Sequence, residues 1–147
     1  MALLGGGVGG AGNPLGGSGS FTGPATALEY IGDFVYAYSG LQSATTALKT
    51  YLTFTTGANL IVGILQTNAP VDDDTSTGGT VSATEITLNN SKIAILKTDG
   101  KDENMNASER MELVLPPYTQ VLVTMIDDGN EPDRYGSMSF TGRVYRD

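Results

Sequence analysis

The sequence predicts an all-β protein: an antiparallel β-sandwich or jelly roll of about eight strands that follows a glycine-rich N-terminal arm. Three observations predict it. Short runs of alternating apolar and polar residues recur along positions 24–147, turn-forming Gly, Pro, Asn and Asp separate them, and only 16% of the residues are charged. This composition is typical of strands joined by turns, and not of helices with Glu and Lys pairs on exposed faces. The chain divides into an arm at 1–23 and a β-domain at 24–147, which is long enough for a single core.

The arm contains ten of the chain's twenty glycines. Each glycine loses more backbone freedom on ordering than any other residue, so the segment is costly to order alone. A plain linker would carry Ser, Glu or Lys between its glycines. This segment instead carries larger apolar residues, namely Leu3, Leu4, Val8, Leu15 and Phe21. We therefore expect an arm that orders when these side chains bind a neighbouring protein, the alternative being a leader with no role.

The first half of the domain contains three predicted strands. Aromatic residues alternate along 27–39, a pattern that suits a half-buried strand, and Gly40 ends it. Positions 47–55 alternate, with Leu48, Thr50, Leu52 and Phe54 on one face. Positions 60–66 are almost continuously apolar, which is typical of a strand covered on both sides. The intervening Gly57-Ala58-Asn59 turn predicts that the second and third strands form a hairpin.

The second half contains five more predicted strands. Positions 85–88 and 93–96 flank Asn89-Asn90-Ser91, where Asn tolerates a positive φ, so these strands are expected to form a hairpin. Alternating runs then follow at 110–115 and at 137–145, the latter with Met138, Phe140 and Val144 on one face, and a strongly apolar run lies between them at 120–126. Polar, acidic stretches at 70–80, 100–108 and 127–134 are predicted to be exposed loops.

Two absences narrow the chemistry. The chain has no cysteine and no histidine, which removes thiolate nucleophiles, the usual general base and the commonest zinc ligand. We expect a protein that is not an enzyme. A net charge of −8 also argues against nucleic acid as a partner, because such binding depends on clustered Lys and Arg. The first residues lack the pattern of a signal peptide or membrane span, so no membrane partner is expected.

The acidic loops hold the candidate ligand atoms. Asp127, Asp128, Asn130 and Asp133 are a possible Ca²⁺ site, because hard cations bind several oxygens on a flexible loop. A solvated turn is the simpler interpretation, since Asp and Asn often cap their own backbone. No other cofactor is expected. Paired carboxylates also occur in glycosidases, but the chain has no Trp to stack sugars.

Two features resemble small virion proteins of tailed bacteriophages, especially marine phages. They are the glycine-rich leader and the strand at 110–115 that runs into Pro116-Pro117-Tyr118-Thr119. The stretches 54–66 and 133–144 add to the resemblance. None of these stretches is a catalytic signature. It implies a β-sandwich or jelly roll that decorates or cements a capsid, commonly as a homotrimer. The implied partner is the major capsid protein or another virion protein, and the implied location is the capsid surface after synthesis in the host cytoplasm.

A decoration protein is therefore the leading hypothesis, with the arm lying along the shell. The first alternative is a host-recognition or carbohydrate-binding module of a tail or fibre, whose acidic loops meet a ligand with or without Ca²⁺. The second is a small enzyme that uses carboxylates, which the lack of His and Cys disfavours.

Overall fold

The computed structural model describes residues 27–69, 81–99, 107–127 and 134–146. In these ranges all regular structure is β, and ten antiparallel strands form two sheets, which confirms the predicted sandwich. The strands are β1 (Glu29–Ile31), β2 (Phe34–Tyr38), β3 (Gln42–Ser43), β4 (Lys49–Thr55), β5 (Leu60–Ala69), β6 (Val81–Leu88), β7 (Ser91–Asp99), β8 (Ala107–Leu115), β9 (Gln120–Asp127) and β10 (Tyr135–Tyr145). No helix long and apolar enough to cross a membrane occurs in the described ranges.

The larger sheet has six strands in the order β1-β2-β10-β5-β8, with β3 also paired to β10. The smaller sheet has four strands in the order β4-β9-β6-β7. Four of the antiparallel pairs are nested in sequence: β6 with β7, β5 with β8, β4 with β9, and β2 with β10. A chain folded as one long nested hairpin and then wrapped into two sheets is the jelly-roll arrangement.

The strand count exceeds the predicted eight because of two short strands. The predicted strand at 27–39 is two strands, because the chain reverses at Gly32 and β1 pairs with β2. Gly32 has a φ of +60°, a conformation that glycine adopts without strain. The two-residue β3 is the other addition. The hairpin at Asn89 and Asn90 is confirmed, and these residues have φ values of 47° and 65°.

The predicted hairpin between 47–55 and 60–66 was wrong. β4 pairs with β9 in the smaller sheet, whereas β5 pairs with β10 and β8 in the larger one. The turn at 57–59 therefore carries the chain from one sheet to the other. The prediction that 60–66 is covered on both sides was also wrong, since Ile61 and Leu65 are buried while Leu60 and Ile64 are exposed.

The core lies between the sheets. Its larger side chains come from both inner faces: Val35, Leu52, Phe54, Ile61, Leu65, Ile86, Leu113, Leu115, Val121, Val123, Met125, Met138, Phe140 and Val144. The rings of Phe54 in β4 and Phe140 in β10 cross the interior with centroids 5.4 Å apart. Phe140 lies directly against Gly63 of β5, because a Cβ at Gly63 would sit 2.6 Å from its ring.

A β-bulge in β4 changes the predicted faces of that strand. The register with β9 shifts between Thr50 and Leu52, and the extra residue, Tyr51, turns inward and is fully buried. Bulges re-aim side chains in this way. Leu48, predicted to share the face of Leu52, is exposed instead.

Candidate functional site

The outer face of the six-stranded sheet carries an apolar row. We define this row as Ile31, Phe34, Val62 and Val114, which lie side by side on β1, β2, β5 and β8 with Arg143 of β10 in the middle. In the strand register, Ile31 lies opposite Phe34 and Phe34 lies opposite Arg143. On the other side of Arg143, Val62 lies opposite it, and Val114 lies opposite Val62. Because neighbouring strands lie about 4.8 Å apart, the row is roughly 19 Å long.

The apolar row is open to solvent. Phe34 is 64% exposed, Val114 58% and Ile31 56%. Ile64 in the next row, together with Leu60 and Tyr145, extends the exposed apolar surface. Single exposed apolar residues are ordinary, but a contiguous group of this kind marks an interaction surface.

Arg143 gives the row one positive charge. Its Cζ atom lies 5.7 Å from the centre of the Tyr145 ring, within the range of a cation–π contact. Arg, Tyr and Phe are enriched in the buried centres of protein interfaces. The mixture of one cation, aromatic rings and aliphatic side chains therefore suits a protein partner.

Two stacked tyrosines border the row. The rings of Tyr36 and Tyr38 on β2 have centroids 5.0 Å apart. Burial, and then the charges of Glu29 and Tyr38, raise the pKa of Tyr36. Tyr36 therefore remains protonated at neutral pH and presents a neutral ring and hydroxyl beside the row.

The row lies far from the strand ends that flank the acidic segments. Ala69 pairs with Ala107, Val81 with Asp99, and Ser82 with Asp127, so the strand ends that flank positions 70–80, 100–106 and 128–133 are neighbours. Those three segments hold eight of the sixteen acidic residues. Val62 and Ala69 on β5 are seven residues apart, roughly 23 Å in a strand, so the row lies far from these strand ends.

Asp127 is the one candidate calcium ligand within the described residues. Its carboxylate accepts hydrogen bonds from Arg134 at both oxygens, with Nε to Oδ2 at 2.7 Å and Nη2 to Oδ1 at 3.1 Å. Both side chains are buried. The remaining candidates, Asp128, Asn130 and Asp133, lie outside the described residues, as do the arm residues Leu3, Leu4, Val8, Leu15 and Phe21. In the described ranges no three Asp or Glu side chains cluster as a metal site.

Tyr51 lies beside this ion pair. Burial, and secondly the charge of Asp127, raise its pKa to about 12. Its hydroxyl is buried and makes no hydrogen bond with the described residues. A protonated phenol at neutral pH is a poor base or nucleophile, so this cluster is better suited to joining the sheets than to catalysis.

The motif Pro116-Pro117-Tyr118-Thr119 forms the turn between β8 and β9. Thr56 at the end of β4 holds it, because its Oγ1 donates to the carbonyl of Pro116 and accepts from the amide of Thr119, both at 2.8 Å. Tyr118 has a φ of +60°, and the residue is 71% exposed. The motif therefore fixes the turn and leaves one aromatic ring in solvent.

The apolar row was missed from the sequence. The apolar residues of the 60–66 run and Phe34 were the available signals for an exposed apolar surface. The run was instead assigned to a strand covered on both sides. Only the pairing of β2, β10, β5 and β8 brings these residues together, and nothing local in the sequence specifies that order.

No protein-family model matches the chain, and no curated protein is significantly similar to it.

Proposed function

We propose that this chain is a non-enzymatic virion structural protein of the capsid-decoration or cement type. It binds a protein shell through the arm at 1–23 and the apolar row on the outer face of the six-stranded sheet. The observation that carries the proposal is the exposure of that row across five adjacent strands.

The surface chemistry favours a protein partner over other ligands. A chain with net charge −8 is repelled by nucleic acid, and the row itself carries a single cation. Burying Phe34, Ile31 and Val114 against a partner removes apolar area from water, which is the main source of free energy in protein association. Aromatic and Arg anchors are the residues that most often dominate such interfaces.

The arm and the row are close in sequence. Position 23 is only six residues before β1 begins at Glu29, and Ile31 at the end of β1 is the first residue of the row. A partner that contacts the row is therefore within reach of the arm. An arm that orders on binding collects contact area across subunit seams of a shell, and both contacts together bind more tightly than either alone.

The charge distribution fits the same orientation. With the row against a shell, the strand ends that flank the acidic segments lie away from the contact, so this orientation does not require those carboxylates to be buried at a desolvation cost. The many acidic residues keep the unbound protein soluble before assembly.

The experiment uses virions of the tailed phage whose genome carries this sequence. Mass spectrometry first measures the copy number of the chain in purified particles. Purified protein is then titrated onto particles that lack it, and bound protein is measured by co-sedimentation. We expect many copies per virion and saturable binding that falls at least tenfold after deletion of residues 2–23 or after Phe34→Ser.

The matched control is Ile95→Ser. Ile95 is 48% exposed on the outer face of the other sheet, so the substitution removes a similar side chain from a surface outside the proposed contact. Binding of the control should equal that of the unchanged protein. Absence of the chain from virions, or equal binding by all the variants, would overturn the proposal.

A further inference from the structure

β8 is a long edge strand with one free side. Its nine residues, Ala107–Leu115, pair with β5 on one side, and no described strand pairs with the other. A free edge presents unpaired backbone N–H and C=O groups, which are a template for pairing with another strand. Long edge strands are normally protected against such pairing by their side chains, so the side chains along β8 decide which strand can pair with it.

The outer face of β8 carries one charge of each sign. Arg110 lies opposite Gln66 and Glu112 lies opposite Ile64. Both charged side chains are exposed, and neither has an ion-pair partner within 4 Å among the described residues. Arg110 and Glu112 flank Met111, which faces inward and is the middle residue of the strand.

We propose that β8 pairs with β8 of a second copy of this chain, antiparallel, about a two-fold axis that passes through Met111. In this register all nine residues of each strand are paired, from Ala107 opposite Leu115 to Leu115 opposite Ala107. Each Arg110 then lies opposite Glu112 of the other copy, which forms two reciprocal cross-strand ion pairs. An isologous contact of this kind closes as a dimer.

The other registers are disfavoured. A two-fold axis normal to the sheet places each residue opposite a residue of the same face. Because successive residues of a strand alternate between the two faces, such an axis must pass through a residue and not between two residues. Centred on Arg110, it places the two arginines opposite each other, and centred on Glu112, it places the two glutamates opposite each other. Like charges directly opposite are destabilising. Centres further out shorten the paired segment and match no opposite charges.

The other long edge differs. β7 is a nine-residue edge of the smaller sheet, whose other edge is the seven-residue β4, and the outer face of β7 carries Lys92 and Lys97. The Lys92 ammonium already bonds Glu85 of its own protomer at 2.6 Å. Lysines on an edge oppose strand addition. The β7 and β8 edges therefore carry different signals, and of these two it is β8 that has opposite charges placed symmetrically about its middle residue.

The dimer goes beyond the proposed function and does not depend on it. Its two-fold axis is normal to the larger sheet, so the apolar rows of both copies face the same way and one partner surface can contact both. It also departs from the homotrimer that the resemblance to decoration proteins implies.

Charge reversal tests the register. Sedimentation equilibrium of the full chain should give a dimer of the 15.3 kDa protomer. Arg110→Glu and Glu112→Arg should each weaken dimerisation by about tenfold or more, since each creates two like-charge pairs. An equimolar mixture of these two variants should form a heterodimer of normal affinity, because every pair across the axis is again of opposite sign. The double variant R110E/E112R should also dimerise normally, while Lys97→Glu on β7 should have no effect.

A cross-link tests the axis independently. The chain has no cysteine, so Met111→Cys introduces one thiol, and in the dimer its Cα lies about 4.5–5.5 Å from its counterpart. That spacing permits a disulfide, so copper-phenanthroline should oxidise the two thiols to a dimeric product. Glu109→Cys is the control, because its two copies would be roughly 13 Å apart. A monomeric or trimeric chain, equal cross-linking of both variants, or failure of the mixed variants to associate overturns the proposal.

Discussion

Arg134 and Asp127 form a buried ion pair that joins the two sheets. Asp127 ends β9 in the smaller sheet and Arg134 immediately precedes β10 in the larger one, and the closest contact is 2.7 Å. Backbone bonds reinforce the junction, since Thr45 accepts from the amide of Asp127 and Ala44 donates to the carbonyl of Arg134. The ion pair thus fixes the strand ends from which the acidic segment at 128–133 departs.

Removing one partner of this ion pair should be strongly destabilising. Arg134→Leu leaves the Asp127 carboxylate buried without its cation, and we expect a loss of about 3–5 kcal/mol in the free energy of unfolding. Urea denaturation measures it. Arg146→Leu is the control, because its ion pair with Asp33 spans 3.5 Å and both side chains are more than half exposed; a change of less than about 0.5 kcal/mol is expected there. Equal losses in the two variants would show that burial of the pair is unimportant.

Tyr51 should make the protein less stable at high pH. Its folded pKa is about 12, whereas in the unfolded chain it is near 10. The unfolded state therefore releases the proton first, so this tyrosine's contribution is intact below pH 10 and falls as the pH rises toward 12. Thermal melts across that range should decline more steeply for the unchanged protein than for Tyr51→Phe. At pH 7 the substitution should be nearly neutral, because the hydroxyl has no partner among the described residues.

Gly63 should not tolerate a side chain. A Cβ there would lie 2.5 Å from the Thr141 carbonyl oxygen and 2.6 Å from the Phe140 ring, so Gly63→Ala forces backbone and ring apart and should cost about 3 kcal/mol. The control is Gly57→Ala, where the nearest atom would be the Tyr30 hydroxyl at an ordinary 3.5 Å. Chemical denaturation should separate the two by at least about 2 kcal/mol. Similar stabilities would contradict the close approach of β5 and β10.

The Thr56 hydroxyl should be needed for the turn between β8 and β9. Thr56→Val keeps the shape but leaves the Thr119 amide, now bonded at 2.8 Å, without its acceptor, at a cost of about 2 kcal/mol. Thr56→Ser retains the hydroxyl and should lose much less. Amide hydrogen exchange at Thr119 should accelerate in the valine variant alone. Unchanged exchange there would show that the turn is held by other contacts.

Local patterns predicted the strands well but not their partners. Alternation placed Met138, Phe140 and Val144 on one buried face, and the two asparagines at 89 and 90 specified the hairpin of β6 and β7. β2 and β10 are separated by about a hundred residues and pair as Phe140 opposite Ala37, which no neighbouring residue can signal. The bulge at Tyr51 and the apolar row depend on those distant pairings, so both were out of reach of periodicity alone.

The central position of β10 has a consequence for synthesis. It lies between β2 and β5, yet it is the last of the ten strands to leave the ribosome. Until it emerges, the two strands that flank it have no neighbour between them, and the nascent larger sheet is split. The larger sheet therefore cannot be completed until β10 has emerged, and polypeptides released before that point will be substrates for chaperones and proteases.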